Sequence, residues 1–503
     1  MSKTGKVHKS GEGYGKILKY TGLFGGVQIL QVVVSVLRNK CAAIFVGSAG
    51  MGINDILNRT TDMFSSLTNM GIPLSGVRAV AADKATGNQE QLQSRVATIR
   101  LWSLITGVVG AILCFALAEP VNTLLFAGKI PHGFLRIVAP VILFMSIYGG
   151  EAAVMKGTRS LRRLATTSAI GALLSFVSTA TIYIRYGIAG IPWALLIGAM
   201  ILMLAALVAT HRQFPWDREL FSARHLTAGK ALLTLGLAYV AAGFAGTGAE
   251  ILARALISQH SLSDVGIYAA GFVVCATYTR IVFVAMDADF FPRLSAQANN
   301  AEARNSIVSK QIDVCVLLMA PMIATLLMFL PEIIRLLYST EFTAAESVCI
   351  GAAGYLLLKA VISPIEYIPL ATGDSATYLV MELIYDAVFV GSIAAGYHFM
   401  GIGGTGLALT ASYLVDFIVV FAVYRRRYGL RLNSTTVRIF LFQGATVAAA
   451  FATFSTGYSL SQRVAGAVWI TVSAIYSIKK LNLRWSNIKQ WVQNRIAKRK
   501  RQQ

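Results

Sequence analysis

Charged side chains are scarce. They make up 14% of the 503 residues, where soluble domains carry about 25%. No polar stretch between the apolar runs is long enough to fold as a separate soluble domain, which excludes an ordinary cytoplasmic enzyme. Acids are scarcer than bases: 23 Asp and Glu stand against 45 Lys and Arg, for a formal net charge of +22. The five cysteines (Cys41, Cys114, Cys275, Cys315, Cys349) have no CxxC spacing and lie mostly in apolar runs. They read as small core residues, not as disulfide partners or zinc ligands. The six histidines do not cluster. No G-x-x-x-x-G-K-[ST] sequence is present, so ATP hydrolysis is not expected. After the basic N-terminus (Lys3, Lys6, Lys9, Lys16, Lys19) there is no small-residue cleavage site, so the first apolar run is expected to be retained.

Long apolar runs are what the sequence has instead, at 55% hydrophobic residues. A spanning helix needs roughly 20 apolar residues, and hydropathy predicts about fourteen spans. The first six fall on residues 18–46, 54–80, 101–119, 135–155, 165–185 and 188–210. The next six cover 231–257, 265–291, 311–330, 347–370, 376–399 and 402–424, and a last pair covers 436–457 and 463–480. The fold class is an all-α, polytopic transmembrane bundle. Basic clusters follow even-numbered spans: Lys156, Arg159, Arg162 and Arg163; Arg212, Arg218, Arg224 and Lys230; Arg425, Arg426, Arg427 and Arg431. Because positive loops stay inside, both termini are expected to be cytoplasmic. The charge lies at the depth of anionic headgroups, so no nucleic-acid partner is expected. The tail from Lys479 to Arg501, with Trp485, Ile488, Trp491, Val492 and Ile496 among nine basic residues, has the pattern of an interfacial amphipathic helix; a floppy basic tail is the alternative.

The chain repeats itself. Gly187-Ile-Ala-Gly190 opens a span ending at His211-Arg-Gln-Phe214, and the same layout recurs from Gly401-Ile-Gly-Gly404 to Arg425-Arg-Arg-Tyr428. Lys156–Ser160 aligns with Thr372–Ser375 after a small offset, Arg78 with Arg293, and Pro120 with Pro331. Residues 1–214 and 215–428 are therefore expected to be two six-helix lobes, followed by a helix pair at 429–480 and a basic amphipathic tail at 481–503. Parallel repeats of this kind suit a transporter that works by alternating access. Gly401 to Gly406 also reads G-x-G-x-x-G, but it is a turn between spans and lacks the strand a dinucleotide fold requires.

Charges inside spans cost about 2.5–3.5 kcal/mol each on insertion scales and normally mark function. Gln28, Gln31, Ser35 and Arg38 share one face of span 1, with Lys40 following. Asp55, Asn58, Asp62, Ser65 and Asn69 form a stripe on span 2, flanked by Arg59, before Pro73 interrupts the helix. Span 7 carries Glu250 and Arg254, and span 8 carries Arg280 and Asp287. Later spans add Glu366 (near Lys359), Glu382 with Asp386, and Asp416. Basic residues thus gather in the first pair of each repeat. If those four helices faced one another they would line a cationic cleft fit for a phosphate-bearing ligand. Arg38, Lys40, Arg59 and Arg280 are the candidate ligand contacts; Asp62, Asp287, Glu366 and Asp386 are candidates for ion coupling. Other roles stay open: snorkelling for Arg38 and Lys40, an internal Arg59–Asp62 pair, a local Glu250–Arg254 bridge, and satisfied structural carboxylates.

The stretch Arg38-Asn-Lys-Cys-Ala-Ala-Ile-Phe-Val-Gly-Ser-Ala-Gly-Met-Gly52 resembles the end of the first helix and the Gly-rich turn of Wzx-type polysaccharide (O-antigen) flippases of the MOP exporter superfamily. The polar span Asn54–Arg78 and Asp289-Phe-Phe-Pro-Arg293 are similar to that family too. The appended pair departs from the commoner twelve-helix form and is similar to the fourteen-helix lipid II flippases. The resemblance implies a multi-pass protein of the bacterial inner membrane, with no cofactor, that moves undecaprenyl-pyrophosphate-linked oligosaccharide from the cytoplasmic to the periplasmic leaflet. By position, Arg38, Lys40, Arg59 and Arg280 would receive the pyrophosphate. Expected partners are the lipid-linked glycan, the bilayer and polysaccharide polymerase or glycosyltransferase machinery, with the chain working as a monomer. The rival readings are a multidrug or cation exporter of the same superfamily and a lipid II flippase. A membrane glycosyltransferase would need a catalytic constellation on a sizeable loop, and the loops are short.

Overall fold

The computed structural model describes residues 30–131, 133–216 and 223–500, with side chains left undescribed at 74, 161, 223–224, 228–242, 278–281, 284–289 and 482–500. Among the described residues there is no strand. The expected all-α fold is the fold observed. Among the described residues, eight helical stretches are long and apolar enough to cross a membrane. Two of them, Arg162–His211 and Ser375–Tyr428, run to 50 and 54 residues. At 1.5 Å per residue each is more than twice what a hydrocarbon core of about 30 Å takes, so each holds two arms joined by a turn.

Two compact units divide the chain. Unit 1 runs to Gly266 and includes Leu337–Ser339; unit 2 holds Ile267–Leu336 and everything from Thr340 onward. Unit 1 contains α1 (described over 30–45), α2 (Gly47–Asn69), α3 (Ile72–Thr86), α4 (Gln89–Ala116), α5 (Ala118–Phe126), α6 (Gly133–Gly157), α7 (Leu161–Tyr186), α8 (Ile191–His211) and α9 (Ala223–Ser258). Its apolar core gathers Ile72, Val80, Leu92, Val96, Ile99, Val154 and Phe214. Helix α10 (Leu262–Ala296) begins in unit 1. Unit 2 continues with α11 (Ala301–Met328), α12 (Leu330–Leu337), α13 (Ala345–Gly351), α14 (Ala353–Thr372), α15 (Ser375–Tyr428), α16 (Ser434–Ser455) and α17 (Leu460–Lys500). The last is one unbroken helix, so the basic tail continues the final span.

The repeat is visible residue by residue in the backbone. Helices α4 and α11 are both 28 residues long, and each starts on an asparagine cap: Asn88 accepts from the Gln91 amide and Asn300 from the Ala303 amide. A short helix follows each, α5 or α12. Further on, Gly187 (φ 52, ψ −133) and Gly401 (φ 62, ψ −150) adopt the same conformation, one open only to glycine, at the turn between arms. Ser160 and Asp374, the residues that precede α7 and α15, each lie 27 residues before that glycine. The left-handed residue before them is Arg159 in one copy and Gly373 in the other. This resolves the small offset seen in sequence: Arg159-Ser160 matches Gly373-Asp374.

Helix α2 ends earlier than Pro73 suggested. Met70 and Gly71 both turn left-handed, and Pro73 sits in the first turn of α3, where a missing amide hydrogen costs nothing. None of the five cysteines forms a disulfide, and four are buried, in keeping with core packing.

Candidate functional site

Helix α2 presents two unlike faces. Gly52, Ile53, Ile56, Leu57, Thr60 and Phe64 are buried, while Asp55, Asn58, Arg59, Asp62, Ser65 and Asn69 stay accessible. The polar stripe read from the sequence is thus the open face of the helix. Two of its charges, Asp55 and Arg59, join Glu250 and Arg254 of α9 in one network. Arg59 Nη1 lies 2.8 Å from Glu250 Oε2, and Arg59 Nε lies 4.0 Å from Asp55 Oδ1. Arg254 Nε donates to Asp55 Oδ2, and Arg254 Nη1 donates to the Glu250 carbonyl at 2.9 Å. Arg254 is 1% exposed, whereas the Arg59 side chain keeps 29%. Asp62 is exposed and lies within electrostatic reach of Arg59, Asp55 and Glu250.

Two guanidinium groups therefore meet two carboxylates, with Asp62 close by. Arg59 is not an open positive charge: its flanking partners are Glu250 and Asp55, and the bridges cross between helices instead of closing only within α9. The buried charge of Arg254 is paired with Asp55 and Glu250, and removing one partner would leave the other stranded. Arg59 has its ion pair on one side and accessible surface on the other, a geometry in which a guanidinium can take up further oxygen ligands.

The other sequence candidates fall as follows. Arg38 is exposed on α1, and Lys40, half-buried on the same helix, donates its ammonium to the Tyr338 carbonyl. Arg280 and Asp287 lie on α10, but their side chains are outside the described residues. Glu366 and Asp386 belong to unit 2, on α14 and the first arm of α15. Glu366 is within electrostatic reach of Asp416, Glu382 and Lys359, and Asp386 of Glu382. The structure thus brings Arg59 and Asp62 together in unit 1, and Glu366 and Asp386 into one acidic region of unit 2.

Two groups escaped the sequence reading. In unit 1, Arg100 and Glu151 form a fully buried, two-point pair (Nε–Oε1 2.7 Å, Nη2–Oε2 3.2 Å), and Arg100 also donates to the Phe214 carbonyl at 2.9 Å and stacks on Trp216 at 5.0 Å. Opposite charges on neighbouring spans were the available signal. In unit 2, Tyr355, Tyr385 and Tyr413 pack edge to face, with Tyr413 within electrostatic reach of Glu366 and Tyr385 of Asp416. Tyr413 and Asp416 are three residues apart on one helix, a spacing that could have revealed the association.

A family model described as "Polysaccharide biosynthesis protein" matches residues 45–347. The chain belongs to this family. Within the matched stretch lie α2, α9 and the network between them. The lipid III flippase of Escherichia coli (strain K12) is 24% identical over 420 residues, covering 79% of this chain and 96% of that protein. Among solved structures, the lipid II flippase MurJ in an inward closed conformation superposes with a TM-score of 0.68 at 14% identity, covering 91% of this chain and 99% of that one. An inward-facing multidrug resistance MATE family transporter of the MOP superfamily gives 0.61 at 14% identity, covering 80% and 98%. At such identity the two structural likenesses concern the fold alone. The relatives by sequence and by fold are named as flippases and transporters, so the chain groups with membrane transporters rather than with enzymes.

Proposed function

We propose that this chain flips an undecaprenyl-pyrophosphate-linked oligosaccharide, a surface-polysaccharide unit of the kind Wzx-type O-antigen flippases handle, from the cytoplasmic to the periplasmic leaflet by alternating access. The observation that carries this reading is the accessible guanidinium of Arg59 on the open face of α2, within a span of the polysaccharide biosynthesis family match. A pyrophosphate entering there meets a planar donor already oriented by Glu250 and Asp55. Arg38 and Lys40 on α1 supply further positive charge in unit 1, and Arg280 is a further candidate by its position in the sequence alone. Asp62, beside Arg59, is the carboxylate whose protonation would alter the charge balance as the headgroup arrives, and Asp287 is its candidate counterpart in the second repeat. Two six-helix lobes, 1–214 and 215–428, would alternate, with both termini cytoplasmic.

A second reading, lipid II flipping, is favoured by one observation: the likeness to the lipid II flippase extends over 91% of this chain, more than the 80% matched by the MATE transporter.

Deletion of the gene tests the proposal. Cells lacking the protein should accumulate lipid-linked saccharide on the cytoplasmic leaflet, with wild-type protein but not Arg59→Ala restoring its export. Normal export together with a new sensitivity to cationic dyes would identify a drug exporter instead.

A further inference from the structure

Unit 2 holds a group of residues that the pyrophosphate contacts leave unused. Helix α14 carries Tyr355, Lys359 and Glu366. The first arm of α15 adds Glu382, Tyr385 and Asp386, and its second arm adds Tyr413 and Asp416. The rings interlock edge to face: Tyr355 and Tyr413 centroids are 4.6 Å apart at 74°, and Tyr385 and Tyr413 are 5.2 Å apart at 75°. Lys359 donates to the Tyr355 hydroxyl at 3.2 Å, and its ammonium lies 5.4 Å from that ring and 5.9 Å from Phe283.

Asp416 is the unexplained member. It is 3% exposed, yet its Oδ2 has no hydrogen-bond partner among the described residues. It lies within electrostatic reach of Glu366 and Glu382, so the unused acceptor belongs to a region rich in carboxylates. At membrane depth such an arrangement marks a functional site. What it lacks is a ligand with several donors.

Among the described residues no three acidic, histidine or cysteine side chains are grouped as a metal site would be; the acceptors are spread over three helical segments. A sugar has matching chemistry: its hydroxyls donate to separated carboxylates, and its C–H faces rest on aromatic rings. We propose that Tyr355, Tyr385 and Tyr413 with Glu366, Glu382 and Asp416 form a saccharide subsite in unit 2, which takes the glycan while the basic residues take the pyrophosphate. This rests on the flippase reading.

The test compares binding of two probes, undecaprenyl pyrophosphate and undecaprenyl pyrophosphate carrying a hexosamine disaccharide, to the full-length protein in nanodiscs. Wild type should bind the sugar-bearing lipid about tenfold tighter. Tyr413→Ala and Asp416→Asn should each erase that preference without changing affinity for the bare lipid, while Tyr413→Phe keeps it. Equal affinity of wild type for both probes, or a preference that survives in both variants, overturns the subsite and leaves the flippase reading standing. If Asp416→Asn removes a sodium-induced rise in melting temperature but spares the sugar preference, the acids are an ion site and the subsite is wrong. Failure of wild type to bind even the bare lipid overturns the flippase reading and the subsite with it.

Discussion

The Arg254 guanidinium on α9 is enclosed against the Asp55 carboxylate on α2, with 1% of the arginine side chain exposed. An enclosed charge of this kind is expensive to strand. Arg254→Met should destabilise the protein by about 3–5 kcal/mol, because Asp55 and Glu250 would lose their shared donor. Thermal unfolding in detergent checks this, and a double-mutant cycle sharpens it: Asp55→Asn with Arg254→Met should recover a measurable part of the loss. Equal additive losses would mean that the two side chains do not act as a pair.

Asp374, outside the spans, caps α15 and ties its two ends. Its carboxylate accepts from the Tyr428 hydroxyl at 2.7 Å, Arg427 Nε at 2.7 Å, and the Thr377 hydroxyl at 2.8 Å. The Tyr428 hydroxyl first, then Arg427 and Thr377, hold this carboxyl well below the usual carboxylate range. A depressed folded-state pKa stabilises above the unfolded value of about 4 and is lost as pH falls through the folded one. Asp374→Asn should therefore lower the melting temperature by a constant amount between pH 5 and 8, and the gap to wild type should close in strong acid. A gap that widened on acidification would contradict the assignment.

Gly187 and Gly401 occupy a backbone region that other residues enter only under strain of about 1–3 kcal/mol. Gly187→Ala and Gly401→Ala should each lower thermal stability by a similar amount, since the two turns share one conformation. Gly391→Ala, in a helix arm with open space at its Cβ, is the control and should not. A neutral Gly401→Ala would show that the turn does not need glycine.

The asparagine caps of α4 and α11 should likewise contribute about 1 kcal/mol each. Asn88→Ala and Asn300→Ala measured separately and together should add, because they cap different helices in different units. Hydrogen exchange at the first turn of each helix gives the local readout.

Much of the fold was legible in sequence because apolar length and loop charge are local properties. The Gly187/Gly401 correspondence was plain from spelling alone, and it proved to be a shared backbone conformation. The asparagine caps are not legible from hydropathy, since α4 and α11 begin in polar stretches well before their apolar runs. Partnering was the harder part. The sequence sets Arg59 beside Asp62, three positions along its own helix, whereas the structure pairs it with Glu250 from α9. Such a pairing depends on which helices are neighbours, which hydropathy does not encode. The same limit hid Arg100 with Glu151, 51 residues apart, and the tyrosines around Asp416.

The most direct measurement is translocation itself. Purified protein reconstituted in liposomes should move an undecaprenyl-pyrophosphate-linked sugar to the opposite leaflet, and Arg59→Ala should slow that movement at least about tenfold, a loss of roughly 1.4 kcal/mol. Efflux of a cationic dye by the same liposomes, without movement of the sugar-lipid, would contradict the flippase assignment.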